Sequence, residues 1–402
     1  MKFFYALISL LVVFGIEAKP LKVFILAGQS NMQGHAKASV IDYMKEDPKT
    51  LDLYKKMHEK RSKIKVCDEV FISYLTGNGN NNMESHGPLT SGFGARRNPK
   101  VSDDKIGPEF TFGIVMHDLL KEPVLIIKTA WGGKSLFKDF RPPSAGPYIP
   151  NKMDIKKKRY DTVEQKKQLE KDTGHYYRLM INHINTVLKD IRRVYPRYKS
   201  SQGYELAGFV WFQGWNDIVN RDVYPYLQKG AKGKRFDAYT NNLEHLIRDL
   251  RKDLKAPKLP VCIGVIGVGG INNERHQDFR DAMAAPAQKN EFKGNVALVQ
   301  TALYWDERLG VIDEKRSKLR QMAYLLRTKN KNHANKDGKM NAKEQKQFIE
   351  KYRAELISKE DEELFARGAS NAGYHYLGCA KTMAQIGEAF AKQIYTLQKE
   401  QK

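Results

Sequence analysis

Three short segments of this chain combine the residue types that acyl transfer needs. Gly28-Gln29-Ser30-Asn31-Met32 follows a β-rich run and sets a serine in a glycine-flanked turn at the start of a helix. A serine so placed is either a helix cap or a nucleophile, and the free N–H donors of a helix start favour an oxyanion. Ala130-Trp131-Gly132-Gly133-Lys134-Ser135 ends a second run. Its paired glycines make a tight turn or bring backbone N–H groups close to a ligand. A third run ends in Trp211-Phe212-Gln213-Gly214-Trp215-Asn216-Asp217, which puts two side-chain amides and a carboxylate just beyond a buried strand. Amides are neutral donors suited to an oxyanion. A nucleophilic serine also needs a base, and of the 10 histidines His375 is the candidate. It lies in the glycine-containing stretch Asn371-Ala372-Gly373-Tyr374-His375-Tyr376, immediately before the last helical pattern.

The elements that must position these residues alternate along the chain. Apolar runs at Lys22 to Ala27, Val124 to Lys128, Leu206 to Phe212, Leu259 to Gly267 and Val296 to Ala302 are bounded by Gly or Pro and suit buried parallel strands. Helical patterns lie at Phe110 to Leu120, Tyr177 to Ile191, Ala238 to Leu254, Lys315 to Arg327 and Gly378 to Leu397. This alternation predicts an α/β fold, a parallel sheet covered on both faces, with ligands binding outside the carboxyl ends of its strands. Two insertions interrupt the rhythm. Residues 41–105, with the strand-like Val70 to Tyr74 and the Gly/Asn-rich Gly77 to Asn82, read as a loop-and-hairpin excursion outside the main sheet; residues 329–363 are highly charged and helical in composition.

The ordered set Gly28-Gln29-Ser30-Asn31-Met32, Gly132-Gly133, Gln213-Gly214 and the late His375 resembles the SGNH hydrolase superfamily, specifically its sialate O-acetylesterase / acetylxylan esterase type, over about residues 20 to 398. The resemblance implies a three-layer, flavodoxin-like parallel sheet and a carbohydrate esterase that removes acetyl groups from glycans. It makes Ser30 the nucleophile and His375 the base. The oxyanion and substrate-binding set would be Gln29, the Ser30 N–H, a backbone N–H of Gly132 or Gly133, and a side chain of the third segment, either Gln213 or Asn216. In many relatives Gln-Gly is followed by Glu, where this chain has Trp215; Gly214-Trp215-Asn216-Asp217 fits the superfamily's Gly-x-Asn-Asp block instead. The superfamily places an Asp three residues before the His, and that position is Ala372. Asp217, Asp306 or a backbone carbonyl is then left to orient the ring, with Asp217 the nominated acid. Loss of that acid weakens the base without abolishing the site. Trp131, Trp215 and Tyr376 adjoin these residues and would either stack on a sugar or pack in the core.

The chemistry so read needs no metal or organic cofactor. One motif in the second insertion concerns a cation: His333 to Glu344 matches a calcium-binding EF-hand loop at Asn335, Asp337, Gly338, Asn341 and Glu344. Its first position is His333, a poor ligand for a hard cation, so a metal-free helical hairpin is the stronger reading and Ca2+ the alternative.

Composition limits the remaining possibilities. With 402 residues and 41% hydrophobic content the chain can bury a large core, which excludes wholesale disorder. Lys+Arg number 69 against 46 Asp+Glu, a formal charge of +23. The lysines are scattered and no stacking module or recognition helix accompanies them, so nucleic acid is not expected; the charge reads first as a solvated surface and next as a face for an acidic polysaccharide. Met1 to Ala18 carries one Lys, the apolar run Phe3 to Ile16 and a small residue at Ala18, and reads as a signal peptide for a secreted or periplasmic protein without stable membrane insertion. The esterase-type unit would then span residues 19–398. The 3 cysteines allow at most one bridge. The alternative function is a non-catalytic carbohydrate-binding or scaffold protein that retains the esterase fold.

Overall fold

The computed structural model describes residues 19–401 except 61–62, 79–80, 96–103, 158, 229, 231 and 330–332. The leader expected at residues 1–18 lies outside the described residues. Seven strands form the main sheet: β1 (Leu21–Gly28), β2 (Val70–Asn78), β3 (Asn81–Pro88), β4 (Val124–Ala130), β5 (Tyr204–Phe212), β6 (Val261–Val265) and β7 (Val296–Gln300). Their order is β3-β2-β4-β1-β5-β6-β7, parallel throughout except for the β2–β3 hairpin. This is the α/β architecture expected, a mostly parallel sheet between helical layers.

Helices α1 (Ser30–Gln33), α2 (Pro108–Leu120), α3 (His175–Lys189), α4 (Asp237–Asp253), α5 (Glu307–Arg327), α6 (Ala342–Leu356) and α7 (Ala380–Glu400) are those that bear on the site. On one face α2 seats Phe112 edge-on against Phe24 of β1, and α7 seats Phe390 against Phe212 of β5. On the other, α3 reaches Ser73 of β2 through His183, and Tyr177 of α3 bonds Asp253 of α4 at 2.7 Å. With both faces covered, a central strand is buried on both sides rather than on alternate residues, and all seven residues of β4 are buried, Lys128 and Thr129 among them.

The insertion at 41–105 departs from expectation in one respect. Its hairpin does not lie outside the sheet: Val70 to Leu75 pair in parallel with Val124 to Thr129, and β3 forms the edge. The apolar face of Val70, Ile72 and Tyr74 is buried against the same layer that covers Ile126, so joining the sheet removes it from water. The second insertion is helical, as expected, with α6 beside α5 and a further helix at Lys359–Gly368.

Register decides where the site forms. Gly28 pairs with Ala130 of β4 and with Phe212 of β5, so the three strands end at one level. The segments that follow them are therefore neighbours. Only glycine fits at the first of these ends, because a β-carbon on Gly28 would stand 2.1 Å from the Phe212 carbonyl oxygen.

Beneath this rim lies Lys128, a fully buried ammonium on β4. It donates to the Gln33 and Phe93 carbonyls, both at 2.8 Å, and to Glu109 Oε2 at 2.7 Å, beside the Tyr74 ring. The other Glu109 oxygen accepts the Gly107 N–H. The pair thus ties the end of the one-turn helix α1 to the start of α2. Removing one partner of such a pair leaves a buried charge uncompensated, which costs about 3–5 kcal/mol. Lys128→Ala is expected to lower unfolding free energy by that order, read from urea denaturation, with Lys128→Met/Glu109→Gln recovering part of it.

Candidate active site

The serine turn is built by backbone bonds between strand ends. Gln29 N–H donates to the Phe212 carbonyl at 3.2 Å, and Trp131 N–H to the Gly28 carbonyl at 3.2 Å. Gln33 N–H and Gly34 N–H close the single turn of α1 onto Gln29 and Ser30. A one-turn helix has little macrodipole, so what it offers an anion is individual N–H groups rather than a summed field. Ser30 is only 6% exposed. A β-carbon on Gly132 would lie 3.8 Å from Ser30 Cβ, which sets the glycine turn directly beside the serine. Gly133, at φ +75°, has open space on its side-chain face.

The Gln29 carboxamide brackets the site. Its Oε1 accepts the backbone N–H groups of Gly214 at 3.0 Å and Asn216 at 3.3 Å, and Gln213 Nε2 at 3.1 Å. Backbone N–H groups only donate, so that atom is the oxygen and the other end is the NH2 group. Nε2 donates to Asn216 Oδ1 at 3.0 Å and lies 3.5 Å from Ser30 Oγ. Gln29 is 1% exposed, and its carboxamide is spent on the loop after β5 beside the serine, so what it contributes in this structure is the placement of that loop.

The same network separates Gln213 from Asn216. Gln213 is buried, and its Nε2 donates to Gln29 Oε1, to the Lys134 carbonyl and to Asp217 Oδ2, while Tyr239 Oη donates to its Oε1 at 3.2 Å. Asn216 spends its oxygen on Gln29, and its NH2 group has no protein acceptor among the described residues. Asn216 is the amide left to donate.

Asp217 does not orient His375. Its carboxylate is fully buried and accepts the N–H groups of Leu136 at 2.9 Å and Phe137 at 3.2 Å, Gln213 Nε2, and Tyr224 Oη at 3.1 Å. Burial pushes it up to about 6, against the opposing effect of those donors. It anchors the chain that follows the Gly132-Gly133 turn. Asp306 is likewise committed elsewhere: it caps α5 through Leu309 N–H and pairs with Lys381 at 2.6 Å and Tyr43 at 3.1 Å.

His375 lies on a loop that touches the serine turn. Asn31 Nδ2 donates to the Tyr374 carbonyl at 3.2 Å, and the His35 and His375 rings stack 3.8 Å apart at 3°. Among the described residues no hydrogen bond joins Ser30 Oγ to the imidazole in this state. The ring's Nδ1 lies 2.9 Å from Asn371 Oδ1. Burial alone lowers His375 to about 4. Tyr376 and Leu377, at φ +52° and +61°, are left-handed non-glycine residues that turn the chain sharply into α7.

Of the aromatic candidates, Trp131 and Tyr376 are core. Trp131 is fully buried and bonds Asn82; Tyr376 Oη accepts the Gly267 N–H at 2.7 Å and bonds Thr301. Trp215 remains half-buried, stacked with the exposed Tyr374 at 6.0 Å. Tyr374 was missed because it follows a glycine in a loop with no periodic pattern. The two rings border a cleft of about 1130 Å³ that reaches Asn371, Gly373, Arg275 and Trp305.

The EF-hand-like segment is assembled as a helix cap. Asn341 and Glu344 form a reciprocal capping box at the start of α6, and Asn335, 1% exposed, bonds the Leu326 carbonyl and the Met340 N–H. Asp337 accepts the Lys339 N–H. The side-chain oxygens of Asn335, Asp337 and Asn341 thus accept backbone N–H groups of the loop and of the helix start. The three cysteines are buried and free, and no described helix is long and apolar enough to cross a membrane.

A buried serine turn, a glycine turn and an amide-bearing loop thus meet at the carboxyl ends of adjacent parallel strands, where open sheets of this kind bind ligands. Residues 20–308 match the model of the carbohydrate esterase family of sialic acid-specific acetylesterases, and the chain belongs to that family. Among solved structures it is similar to a protein from Arabidopsis thaliana, at 18% identity and a TM-score of 0.37, covering 70% of this chain and 86% of that one. A novel carbohydrate acetylesterase from Xanthomonas citri is similar at 11% identity and a TM-score of 0.37, covering 69% of this chain and 49% of that one. No curated protein matches.

If Asp217 is an anchor, Asp217→Asn should lower stability by about 1–3 kcal/mol and leave the shape of the pH–activity curve unchanged. Urea unfolding and the pH profile check the two halves; a profile whose acidic limb moves would restore Asp217 to an acid's role.

Proposed function

We propose that this protein is an exported carbohydrate O-acetylesterase that cleaves acetyl esters of glycans through an acyl-enzyme on Ser30. The observation that carries the reading is the convergence of the serine turn, the glycine turn and the free Asn216 amide at one level of the sheet, beside the His375 loop. His375 takes the Ser30 hydroxyl proton as Oγ bonds the acetyl carbonyl carbon. The oxygen that becomes negative receives the Ser30 N–H, an N–H of the Gly132-Gly133 turn and the Asn216 NH2 group. Collapse breaks the bond to the sugar oxygen, which leaves with the proton from His375. Water then repeats the sequence on acetyl-Ser30.

Because Ser30 and His375 are not yet bonded, substrate entry would bring them together, as catalytic contacts often tighten only in the complex. The Trp215–Tyr374 pair and its cleft suit the flat faces and hydroxyls of a sugar. A second cleft of about 600 Å³ beside the glycine turn carries Lys134, Lys138, Lys171 and Arg178 against Asp139 and Asp172, and this excess of cations supports an acidic glycan chain as the wider substrate. Export rests on the apolar leader at residues 1–18. The rival reading, a carbohydrate-binding protein without turnover, draws on the absence of a carboxylate at the His375 ring among the described residues.

Hydrolysis of an aryl acetate separates the two. Ser30→Ala is expected to fall to background, and Asn216→Ala to lose about 10²–10³ in kcat, with Gln213 variants losing stability first. Equal slow hydrolysis by wild type and Ser30→Ala would sink the enzyme reading. A base lowered to about 4 is neutral, and so competent, above that pH. The acidic limb of kcat/KM should therefore lie near pH 4, well below the ~6.5 of an ordinary imidazole.

A further inference from the structure

We propose that Asn371 is the positioning residue of this site, holding the His375 imidazole in the tautomer whose Nε2 can accept the Ser30 proton. The inference rests on the Ser30–His375 reading above. It supplies the orienting group that neither Asp217 nor Asp306 provides.

The tautomer follows from donors alone. Asn371 Oδ1 lies 2.9 Å from His375 Nδ1 and 2.8 Å from the backbone nitrogen of Ala372. The Ala372 amide can only donate, so the atom it meets is the carbonyl oxygen rather than the NH2 group. An oxygen facing Nδ1 requires that Nδ1 carry the proton. In a neutral imidazole the lone pair is then on Nε2. Ala372, the position where the relatives' acid would stand, thus contributes its backbone N–H to fix which end of Asn371 faces the ring.

The loop makes this geometry rigid. The N–H groups of Ser370 and Asn371 both donate to the Leu377 carbonyl, at 2.8 and 2.9 Å, and those of His375 and Leu377 donate back to the Ala372 carbonyl. Asn371 and His375 are therefore held at a fixed separation across a closed loop. The hydrogen bond acts in the plane of the ring. His35 constrains it out of plane, stacked 3.8 Å away at 3°, with Tyr374 edge-on at 4.4 Å.

An amide performs half of a carboxylate's work. It selects the tautomer and the orientation, as the Asn of Cys-His-Asn sites does, but gives an imidazolium no opposite charge. The charged groups around the ring fit this division. An acid beside the loop, Asp313, lies with Oδ2 3.0 Å from where a β-carbon on Gly373 would stand and is paired with Arg320. The elements packed against His375 present His35, Tyr374 and Asn371 to it, and no carboxylate among the described residues bonds it.

The test uses wild type, Asn371→Ala and Asn371→Asp, with Ser30→Ala as the inactive reference, on an aryl acetate. Asn371→Ala should lower kcat by about 10²-fold with KM within about twofold. Asn371→Asp should retain turnover and move the acidic limb of the pH profile upward, because a carboxylate at that oxygen stabilises the protonated ring. A wild-type kcat in Asn371→Ala, or superimposable pH profiles for wild type and Asn371→Asp, would overturn the proposal. Imidazole 15N NMR gives a readout independent of turnover: His375 should be protonated at Nδ1 in wild type and lose that preference in Asn371→Ala. If wild type proves no better than Ser30→Ala, the esterase reading fails, and the NMR result still decides whether Asn371 sets the tautomer. An Nε2-protonated ring in wild type would end it.

Discussion

Everything at this site depends on a single neutral side chain, the buried carboxamide of Gln29. From within the serine turn it bonds the loop after β5 through both ends of its amide, and those two ends are assigned by backbone donors that admit no alternative. A carboxylate there could accept the Gly214 and Asn216 N–H groups but could not donate to Asn216. A hydrocarbon could do neither and would leave buried N–H groups unpaired. The bracket works only because the strands end in step, which the Gly28 pairings with Ala130 and Phe212 impose. Lys128 secures the same one-turn helix from its other end. The serine is thereby held by polar bonds above and below a core that is otherwise apolar.

Much of the scaffold was legible in the sequence because strands covered on both faces must be continuous apolar runs, and each of the five runs became a parallel strand. The hairpin was misplaced for a physical reason. Val70 to Tyr74 looked strand-like, but its partner β4 lies some fifty residues further on, and its sequence neighbour β3 is polar, with no apolar alternation to mark which sheet it would join. Ser30 and His375 were legible as residues at the end of a strand and before a helix.

The polar contacts around them were not legible, because composition does not say where a polar group finds its partner. Asp217 and Asn216 are adjacent, yet one is sealed beneath the rim and the other keeps an NH2 group with no acceptor among the described residues. Asn371 went unremarked since the expected orienting group was an acid one position later. The calcium-like pattern of Asn341 and Glu344 is equally a capping box, since Asn before a helix and Glu at its third position serve either purpose.

The hairpin that joined the sheet also determines how the sheet ends. Its outer strand, Asn81–Pro88, reads Asn-Asn-Met-Glu-Ser-His-Gly-Pro, with a proline that offers no N–H, and the opposite border, β7, is only five residues long. Neither margin is a good template for a strand from another molecule. A wide parallel sheet normally risks edge-to-edge growth during synthesis or concentration; here both borders resist it, so this molecule is guarded against fibrous self-association by the same insertion that widens its scaffold.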